Sequence, residues 1–455
     1  MDIRWSLNEL YQSFDKTYQD DLNSVRHILE DMKKYPTYPY HENYLVEYLQ
    51  QENDLDNLVG KLYSYVNLIM SADTTNQEAI KYASLLENLL ASFADSSAAI
   101  QKWIGGFELS QLQDPYIHEH MYILKEMQQH NAHILDEQSE SVLATMKTTG
   151  SSAWERYKDQ LVSSLEVIID GQSHPLTEVI NMAYAKDQET RKKAYDSELK
   201  AYVQIEQGCA SALNAIKGEA IHVAKLRRYD SVLQRTLIDS RMSQKTLDAL
   251  MKTIQKSLPI FEKYFQTKAQ YLGYQKGLPW YDMYAPIVDI HSHYTYEEGC
   301  QEVINQFSTF SHTLGQYAKT AIDKNWIDVY PRAGKVGGAF CNNLHCIKES
   351  RILLNYGHDF SDVITMAHEL GHGFHGYCLD NQTALHASYP MPIAETASNF
   401  CETIVKKAAL KDADDQQKLM IIENELSDCA QVIVDIYSRF LFESRLIEER
   451  KNGPL

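Results

Sequence analysis

The fold is decided by the stretch His368-Glu369-Leu370-Gly371-His372, in a sequence of 455 residues. Residues four apart lie on one face of a helix, with Cβ atoms about 5–6 Å apart, so the two histidines can bind a single metal ion. Zinc suits imidazole ligands and imposes no geometric preference of its own. Glu369 projects about 100° around the helix from His368, where it can reach a water on the metal as a general base. The motif therefore predicts a zinc site with a built-in base.

The surroundings of the motif favour this interpretation over a chance match. Asp359 or Ser361 can cap the start of a helix, and the apolar run Arg351–Tyr356 before it is typical of a short strand. Gly371 and Gly373 are small residues at positions where close packing is expected. The alternative is a helical scaffold with a fortuitous motif, which predicts that the protein binds no zinc.

A third ligand has to come from outside this helix. The extended motif with a third histidine requires Gly at position 375 and His at position 378, where this sequence has His375 and Cys378. That class of site is therefore excluded. The remaining downstream candidates are Asp380, His386, Glu395 and Glu402.

The segment from Pro392 to Glu402 is expected to form a second helix, with Pro392 in its first turn. One face of this helix is predicted to be apolar, with Ile393, Ala397, Phe400 and Ile404. Another face is predicted to be polar, with Glu395, Asn399 and Glu402. One carboxylate would complete a site of two histidines and a glutamate, and the other would hydrogen-bond a ligand. Spacing alone does not separate Glu395 from Glu402 in these roles.

The composition predicts a mostly helical protein that does not bind nucleic acid. The helix-breaking residues Gly and Pro number only 19 and 11. The net charge of −19 repels phosphate backbones, so nucleic acid is an unsuitable partner. No apolar run is long enough to cross a membrane, and the first residues do not resemble a signal peptide. Seven scattered cysteines, an odd number, indicate reduced thiols and a cytoplasmic location.

The rest of the chain adds a few local expectations. Residues 1–147 are typical of successive amphipathic helices, and Val162–Asp170, which ends at Gly171, is consistent with a short strand or hairpin. Gly337 and Gly338 allow close approach by another chain, as in an edge strand that receives a peptide, although a turn before a core strand explains them too. Four histidines are expected on a solvated helix face rather than at a metal: His118, His120, His130 and His133.

The chain resembles the oligoendopeptidase F branch of the thimet oligopeptidase family of zinc metallopeptidases. The residues that carry this resemblance most strongly are Ala367–His375, which contain the paired histidines, and Ile393–Ser398. Supporting matches extend over nearly the whole chain in order: Trp5–Tyr11, Arg191–Tyr195, Tyr229–Ser231, Tyr281–Pro286 and Gly338–Phe340.

The resemblance implies one zinc ion per chain, with His368, His372 and Glu395 as ligands, Glu369 as the general base and Glu402 as a supporting carboxylate. It also implies that Gly338, Ala339 and Phe340 belong to a strand that faces the substrate. The implied fold is mainly α, a two-lobed helical zincin with a small β-sheet beside the motif helix and a deep channel that admits short peptides. We expect an N-terminal helical region at 1–185 and a catalytic domain at 186–455.

The resemblance also exposes a departure near the C-terminus. The family continues beyond the segment that matches Ile433–Phe440 and supplies His and Tyr side chains that contact the substrate, whereas this sequence stops at Leu455. The catalytic domain is therefore expected to be C-terminally incomplete relative to the family. The alternative function is a truncated, weakly active or inactive zinc-binding protein that binds peptides. Cleavage specificity and oligomeric state do not follow from the sequence.

Overall fold

The computed structural model describes residues 3–288 and 293–455, and the fold is mainly helical, as predicted. Within these ranges no helix is both long enough and apolar enough to cross a membrane. In chain order the α-helices are α1 (Lys16–Met32), α2 (Glu42–Ala72), α3 (Gln77–Ala91), α4 (Ala94–Gly105), α5 (Pro115–Glu119), α6 (Met121–Asn131), α7 (Glu137–Thr149), α8 (Ser151–Ser163), α9 (Leu176–Asn181), α10 (Gln188–Tyr202), α11 (Glu206–Leu226), α12 (Val232–Asp239), α13 (Gln244–Tyr271), α14 (Tyr296–Phe310), α15 (His312–Asp323), α16 (Phe360–Leu379), α17 (Ala384–Ala387), α18 (Met391–Ala394), α19 (Thr396–Asp412), α20 (Asp415–Ala430) and α21 (Ile436–Arg450).

In the described part of the chain, five short strands form two small sheets: β1 (Glu166–Ile169), β2 (Gln172–Pro175), β3 (Ile327–Asp328), β4 (Phe340–Leu344) and β5 (Glu349–Leu353). The hairpin β1–β2 turns at Asp170 and Gly171, both with positive φ, which suits the two-residue turns of hairpins. In the second sheet the order is β3-β5-β4, with β3 parallel and β4 antiparallel to β5. Among the described strands β4 is thus an edge strand, with Phe340 opposite Leu353.

The chain divides into two compact units that each contain two segments. The first unit comprises Met1–Ile134 and His291–Asp412, and the second comprises Leu135–Ile290 and Ala413–Leu455. These units are defined by contacts rather than by order along the chain. The division expected from the sequence, at residues 185 and 186, stays a prediction. All candidate site residues lie in the first unit.

Helix α16 forms where the sequence predicts it, directly after the sheet. Asp359 is its N-cap residue, and the backbone N–H of Asp359 donates to Asp362 Oδ2 at 2.8 Å. The apolar face buries Val363, Ala367 and Leu370 against the core of the first unit. The helix therefore has a fixed start and a fixed buried side, which determines where the motif histidines point.

Helices α16 and α19 pack against each other at glycine distance. A Cβ atom placed on Gly371 would lie 2.8 Å from both the carbonyl oxygen of Ala397 and Cα of Ser398. Distances this short exclude any side chain, so the two backbones meet only because position 371 is glycine. This contact places α19 and the residues just before it beside the two motif histidines.

The predicted second helix is interrupted, and its buried face is only partly the one expected. The helical segment starting at Met391 ends at Ala394, Glu395 has φ −86° and ψ 5°, and α19 begins at Thr396. The buried side chains on α19 include Ser398, Cys401 and Val405. The predicted apolar face is only partly buried, because Ile404 packs against the core whereas Ile393 and Phe400 are exposed. The spacing of apolar residues predicted a continuous helix. In the structure, the close contact at Gly371 requires that the side of α19 facing α16 carry small residues such as Ser398.

Candidate metal centre

Three side chains from two separate segments converge on one point in the first unit. The Nε2 atoms of His368 and His372 are 3.1 Å apart, and each lies 3.2 Å from Glu395 Oε2. Within the described residues these three form the one group of side chains whose geometry could hold a metal ion. The structure thus separates the two carboxylates that spacing left equivalent, because Glu395 and not Glu402 meets both imidazoles at Nε2.

The hydrogen bonds around the imidazoles leave lone pairs at this point. His368 Nδ1 lies 2.6 Å from Glu402 Oε1, and the His372 ring is hydrogen-bonded to the backbone of Ala394. A carboxylate and a carbonyl oxygen only accept, so the ring nitrogens that face them carry the protons. In the neutral rings that a metal requires, both Nε2 atoms then present lone pairs to each other and to Glu395. Three acceptors this close repel one another unless a cation lies among them.

The donor set and its spacing fit zinc. Tetrahedral zinc with bonds of about 2.0–2.1 Å requires ligand atoms about 3.3 Å apart, close to the distances among the three side chains. Two imidazoles and one carboxylate are also the ligands of catalytic zinc sites that keep a fourth position open. The residues present therefore fit the metal that the sequence predicted.

Glu402 lies between His368 and a lysine that sequence reasoning missed. Lys406 Nζ lies 2.8 Å from Glu402 Oε2, one helical turn further along α19. Burial raises the pKa of Glu402, but the hydrogen bonds from His368 and Lys406 outweigh it and bring the pKa below its usual value. The carboxylate is therefore ionised at neutral pH, which fixes the His368 ring and its proton. The spacing of four residues between Glu402 and Lys406 was the available signal.

Replacing Glu402 with Ala is expected to weaken zinc binding by about 10–100-fold, because His368 loses the acceptor that fixes its ring. The affinity is measured by competition with a chromogenic chelator. Lys411→Ala, at the exposed end of the same helix, is the control and should bind zinc like the parent chain. Equal zinc affinity in Glu402→Ala and the parent would contradict this role.

Glu369 is buried beside the three converging side chains. Its Oε2 atom has no hydrogen-bond partner within the described residues. Burial, assisted by the negative charges of Glu395 and Glu402 and opposed by His368, raises the pKa of Glu369 to about 7. A carboxylate with a free oxygen and a pKa near neutrality can both accept and return a proton.

Glu395 is the most exposed of the three converging side chains and occupies the break between α18 and α19. Its Oε2 atom accepts a hydrogen bond from Ser398 Oγ at 2.6 Å. The break also ends helical hydrogen bonding at Ala394, whose backbone is then available to His372. Sequence reasoning placed Glu395 inside a helix and missed both of these contacts.

The other predicted candidates lie away from this point. His386 stacks on His120 with ring centroids 4.5 Å apart, and His375 stacks on Tyr389 at 4.1 Å. Asp380 lines a cavity of about 390 Å³ next to the last turn of α16. The expectation that His120 lies on a solvated face is wrong, because its side chain is fully buried and contacts the backbone carbonyl of Tyr116.

A buried polar chain links the sheet to the motif helix. Tyr317 donates to Ser350 Oγ at 3.0 Å, Ser350 donates to Asn343 Oδ1 at 2.8 Å, and Asn343 Nδ2 donates to the carbonyl of His372 at 3.0 Å. Buried polar chains whose members are all satisfied are rigid. The position of β4 relative to the histidines is therefore fixed.

Gly338, Ala339 and Phe340 lead into the edge strand β4 on the same side of the molecule as α16. Gly338 has φ +77°, and its carbonyl accepts a hydrogen bond from Asn355 Nδ2 at 2.7 Å. The Phe340 ring contacts Trp5 in the core, so its side chain packs inward and does not face a ligand. Gly338 and Ala339 line a cavity of about 300 Å³ together with Leu354, Asn355, Tyr356, Asp362 and Thr365.

Two family models match the chain. Residues 181–437, more than half of the chain, match the model of peptidase family M3, and residues 108–166 match the model of oligopeptidase F. The first match contains all the residues of the metal centre and the glycine-containing strand. The two matches confirm the resemblance that the motifs indicated.

Curated relatives are similar over the whole chain. An oligoendopeptidase F homolog of Lactococcus lactis subsp. lactis is 25% identical over 479 residues, an alignment that covers 100% of this chain and 77% of the relative. Oligopeptidase PepF of Bacillus subtilis is 23% identical over 438 residues, covering 93% of this chain and 65% of the relative. The relatives are thus longer than the chain described here.

Solved structures share the fold. A Chlamydophila abortus protein assigned as a peptidase superposes with a TM-score of 0.83 at 24% identity, covering 99% of this chain and 78% of the other. Oligoendopeptidase F from Enterococcus faecium superposes with a TM-score of 0.62 at 18% identity, covering 97% of this chain and 76% of the other. Both confirm the mainly helical fold that the sequence predicted.

Proposed function

The chain belongs to peptidase family M3 and is a metallo-oligopeptidase, and we propose that its metal is zinc, held by His368, His372 and Glu395. In this proposal Glu369 is the general base and the substrates are short peptides. The observation that carries the proposal is the convergence of two imidazole nitrogens and one carboxylate oxygen within 3.2 Å of one another. Such a group of acceptors is stable around a divalent cation and unfavourable without one.

Zinc held by His368, His372 and Glu395 would supply Lewis acidity to polarise the scissile carbonyl. The proton transfers are carried out by residues of the chain. Glu369 takes a proton from the attacking water and returns it to the nitrogen of the leaving amine. Its raised pKa favours the second step, and the positive charge of a bound cation favours the ionised carboxylate needed for the first. Metal binding requires neutral rings, and the second hydrogen bond of each ring, from His368 to Glu402 and from His372 to the backbone of Ala394, keeps the remaining ring proton on the nitrogen that faces away from the metal.

We propose that the peptide lies in an extended conformation along Gly338–Phe340. An edge strand offers unpaired backbone N–H and C=O groups to a further strand. The cavity of about 300 Å³ beside Gly338 and Ala339 also touches Thr365, which lies four residues before Glu369 on α16. A side chain of the substrate can therefore occupy this cavity about one helical turn from the general base. Glycine at position 338 keeps the approach open.

The cysteines support a reducing compartment, which we propose to be the cytoplasm. All seven cysteines lie in the described ranges and are present as thiols rather than as disulfides. Cysteines that remain unpaired are typical of proteins in a reducing environment.

The proposal is tested by metal content and peptide hydrolysis of the purified chain. We expect one zinc per chain and cleavage of quenched fluorescent peptides, both lost on chelation and recovered on adding zinc. Because zinc binds only the folded state, free zinc at about 100 times its dissociation constant adds about 2.7 kcal/mol to the free energy of unfolding. Chelation should therefore lower the unfolding temperature. A chain that binds no zinc would contradict the metal site, and zinc binding without turnover would contradict the enzyme.

A further inference from the structure

Ser398 lies one turn after Glu395, on the side of α19 that faces the motif helix. Its side chain is fully buried, and its hydroxyl donates to Glu395 Oε2 at 2.6 Å. This is the same oxygen that lies 3.2 Å from His368 Nε2 and from His372 Nε2. A carboxylate oxygen has two lone pairs, so it can accept from Ser398 and still face the two imidazoles.

Glu395 depends on such a partner more than the histidines do. Its side chain is 48% exposed, compared with 23% for His368 and 16% for His372. The histidines project from the middle of a helix and are each fixed by a second hydrogen bond, to Glu402 and to the backbone of Ala394. Glu395 lies in a break between helices and has a long, flexible side chain, which loses considerable conformational freedom when it is held in one geometry.

The hydroxyl of Ser398 is explained by this hydrogen bond and not by packing. Close approach of α16 at Gly371 requires a small residue at position 398, but alanine satisfies that requirement as well as serine. A serine inside a helix commonly donates to the carbonyl four residues earlier, which here belongs to Ala394. The backbone of Ala394 is instead hydrogen-bonded to His372, and the Ser398 hydroxyl turns to Glu395.

We infer that Ser398 is a positioning residue that holds the Glu395 carboxylate in its metal-binding orientation. The inference rests on the proposed zinc site and extends it to a residue that does not touch the metal. A hydrogen-bonded partner of a ligating carboxylate raises metal affinity because the ligand is ordered before the metal arrives. Without the hydroxyl, Glu395 samples conformations turned toward solvent, and zinc binds more weakly.

The test is zinc affinity of the metal-free chain, measured by competition with a chromogenic chelator. Ser398→Ala is expected to weaken zinc binding by about 10–100-fold. The matched control is Thr403→Ala on the same helix, whose hydroxyl donates to the carbonyl of Asn399 at an exposed position. Thr403→Ala should bind zinc like the parent chain. Metal-free Ser398→Ala should unfold at nearly the same temperature as the metal-free parent, because packing is preserved.

A double-mutant cycle separates positioning from a general effect on the helix. In a Glu395→Ala background, Ser398→Ala should change zinc affinity by less than about twofold, because the carboxylate it holds is gone. Equal weakening in both backgrounds would show that Ser398 acts through packing and would overturn the inference. A parent chain that binds zinc tightly, together with a Ser398→Ala variant that binds it equally well, would overturn the positioning role alone. A parent chain that binds no zinc would overturn the proposed function and, with it, this role.

Discussion

Replacing Glu369 with Gln is expected to lower kcat/KM for peptide hydrolysis by about 10²–10⁴-fold, while zinc content stays at the parent level. The amide has the size of the carboxylate but cannot take a proton from water at neutral pH. It cannot return one to the leaving amine either. Because Glu369 lies outside the three converging ligand atoms, its replacement leaves the metal site intact. The measurement combines steady-state hydrolysis of a quenched fluorescent peptide with zinc analysis of the same sample.

Although Glu369→Gln lowers activity, it is expected to raise the stability of the metal-free protein. Burial raises the pKa of Glu369 from 4.5 to about 7, so in the metal-free protein this carboxyl destabilises the fold increasingly as the pH rises from 4.5, and fully above about 7. Glu369→Gln should therefore unfold at a higher temperature than the parent at pH 8 when both are metal-free. The difference in unfolding temperature between Glu369→Gln and the parent should disappear below pH 4.5, where the Glu369 carboxyl is protonated in both the folded and the unfolded chain.

The exposed Glu297→Gln on α14 serves as an isosteric control and should match the parent in activity and stability. Full activity in Glu369→Gln would exclude Glu369 as the general base. Loss of activity together with loss of zinc would show that the substitution disturbs the metal site instead.

Replacing Gly371 with Ala is expected to destabilise the protein, although glycine to alanine inside a helix normally stabilises by about 0.5–1 kcal/mol. The new Cβ would lie 2.8 Å from Cα of Ser398 and from the carbonyl oxygen of Ala397, both of which are backbone atoms. Helices α16 and α19 would have to separate, and overpacking of this kind costs about 1–3 kcal/mol. The shift also moves Glu395 away from the histidines, so zinc affinity should fall as well.

The control is Gly60→Ala in helix α2, where nothing lies within 4 Å of the added Cβ and the residue is exposed. This variant should gain free energy of unfolding, by the propensity difference alone. The two variants are compared by denaturant unfolding of the metal-free proteins, so that zinc does not contribute. A Gly371→Ala variant as stable as Gly60→Ala would contradict the close approach of the two helices.

The sequence was informative wherever a contact lies within one helix or follows from composition. The spacing of His368 and His372 was sufficient to place both imidazoles on one face, and Asp359 was a sufficient signal for the start of α16. Scarce glycine and proline correctly indicated a mainly helical fold. The resemblance of Ile393–Ser398 to the oligoendopeptidase F motif selected Glu395, which spacing alone could not separate from Glu402.

Other features depended on contacts between segments far apart in sequence. His120 was expected in solvent but is buried, because its ring stacks on His386, more than 260 residues later. The apolar face that periodicity predicted is only half correct, since Ile404 packs against the core but Ile393 and Phe400 are exposed. The spacing of apolar residues within a helix does not show which side of that helix packs against a neighbouring helix.

The sequence by itself therefore determined the family of metallo-oligopeptidases, the helical fold and a helix with paired histidines, and it proposed Glu369 as the base. Relations of three or four residues follow from helix geometry, which is the same in every protein. Only the tertiary structure decided how Glu395, the proposed third ligand, meets the histidines, because this depends on Gly371 admitting the backbone of α19. At this contact Glu395 lies in the break between two helices, and the backbone of Ala394 is hydrogen-bonded to His372. Ser398 lies against Glu395 and donates to its carboxylate.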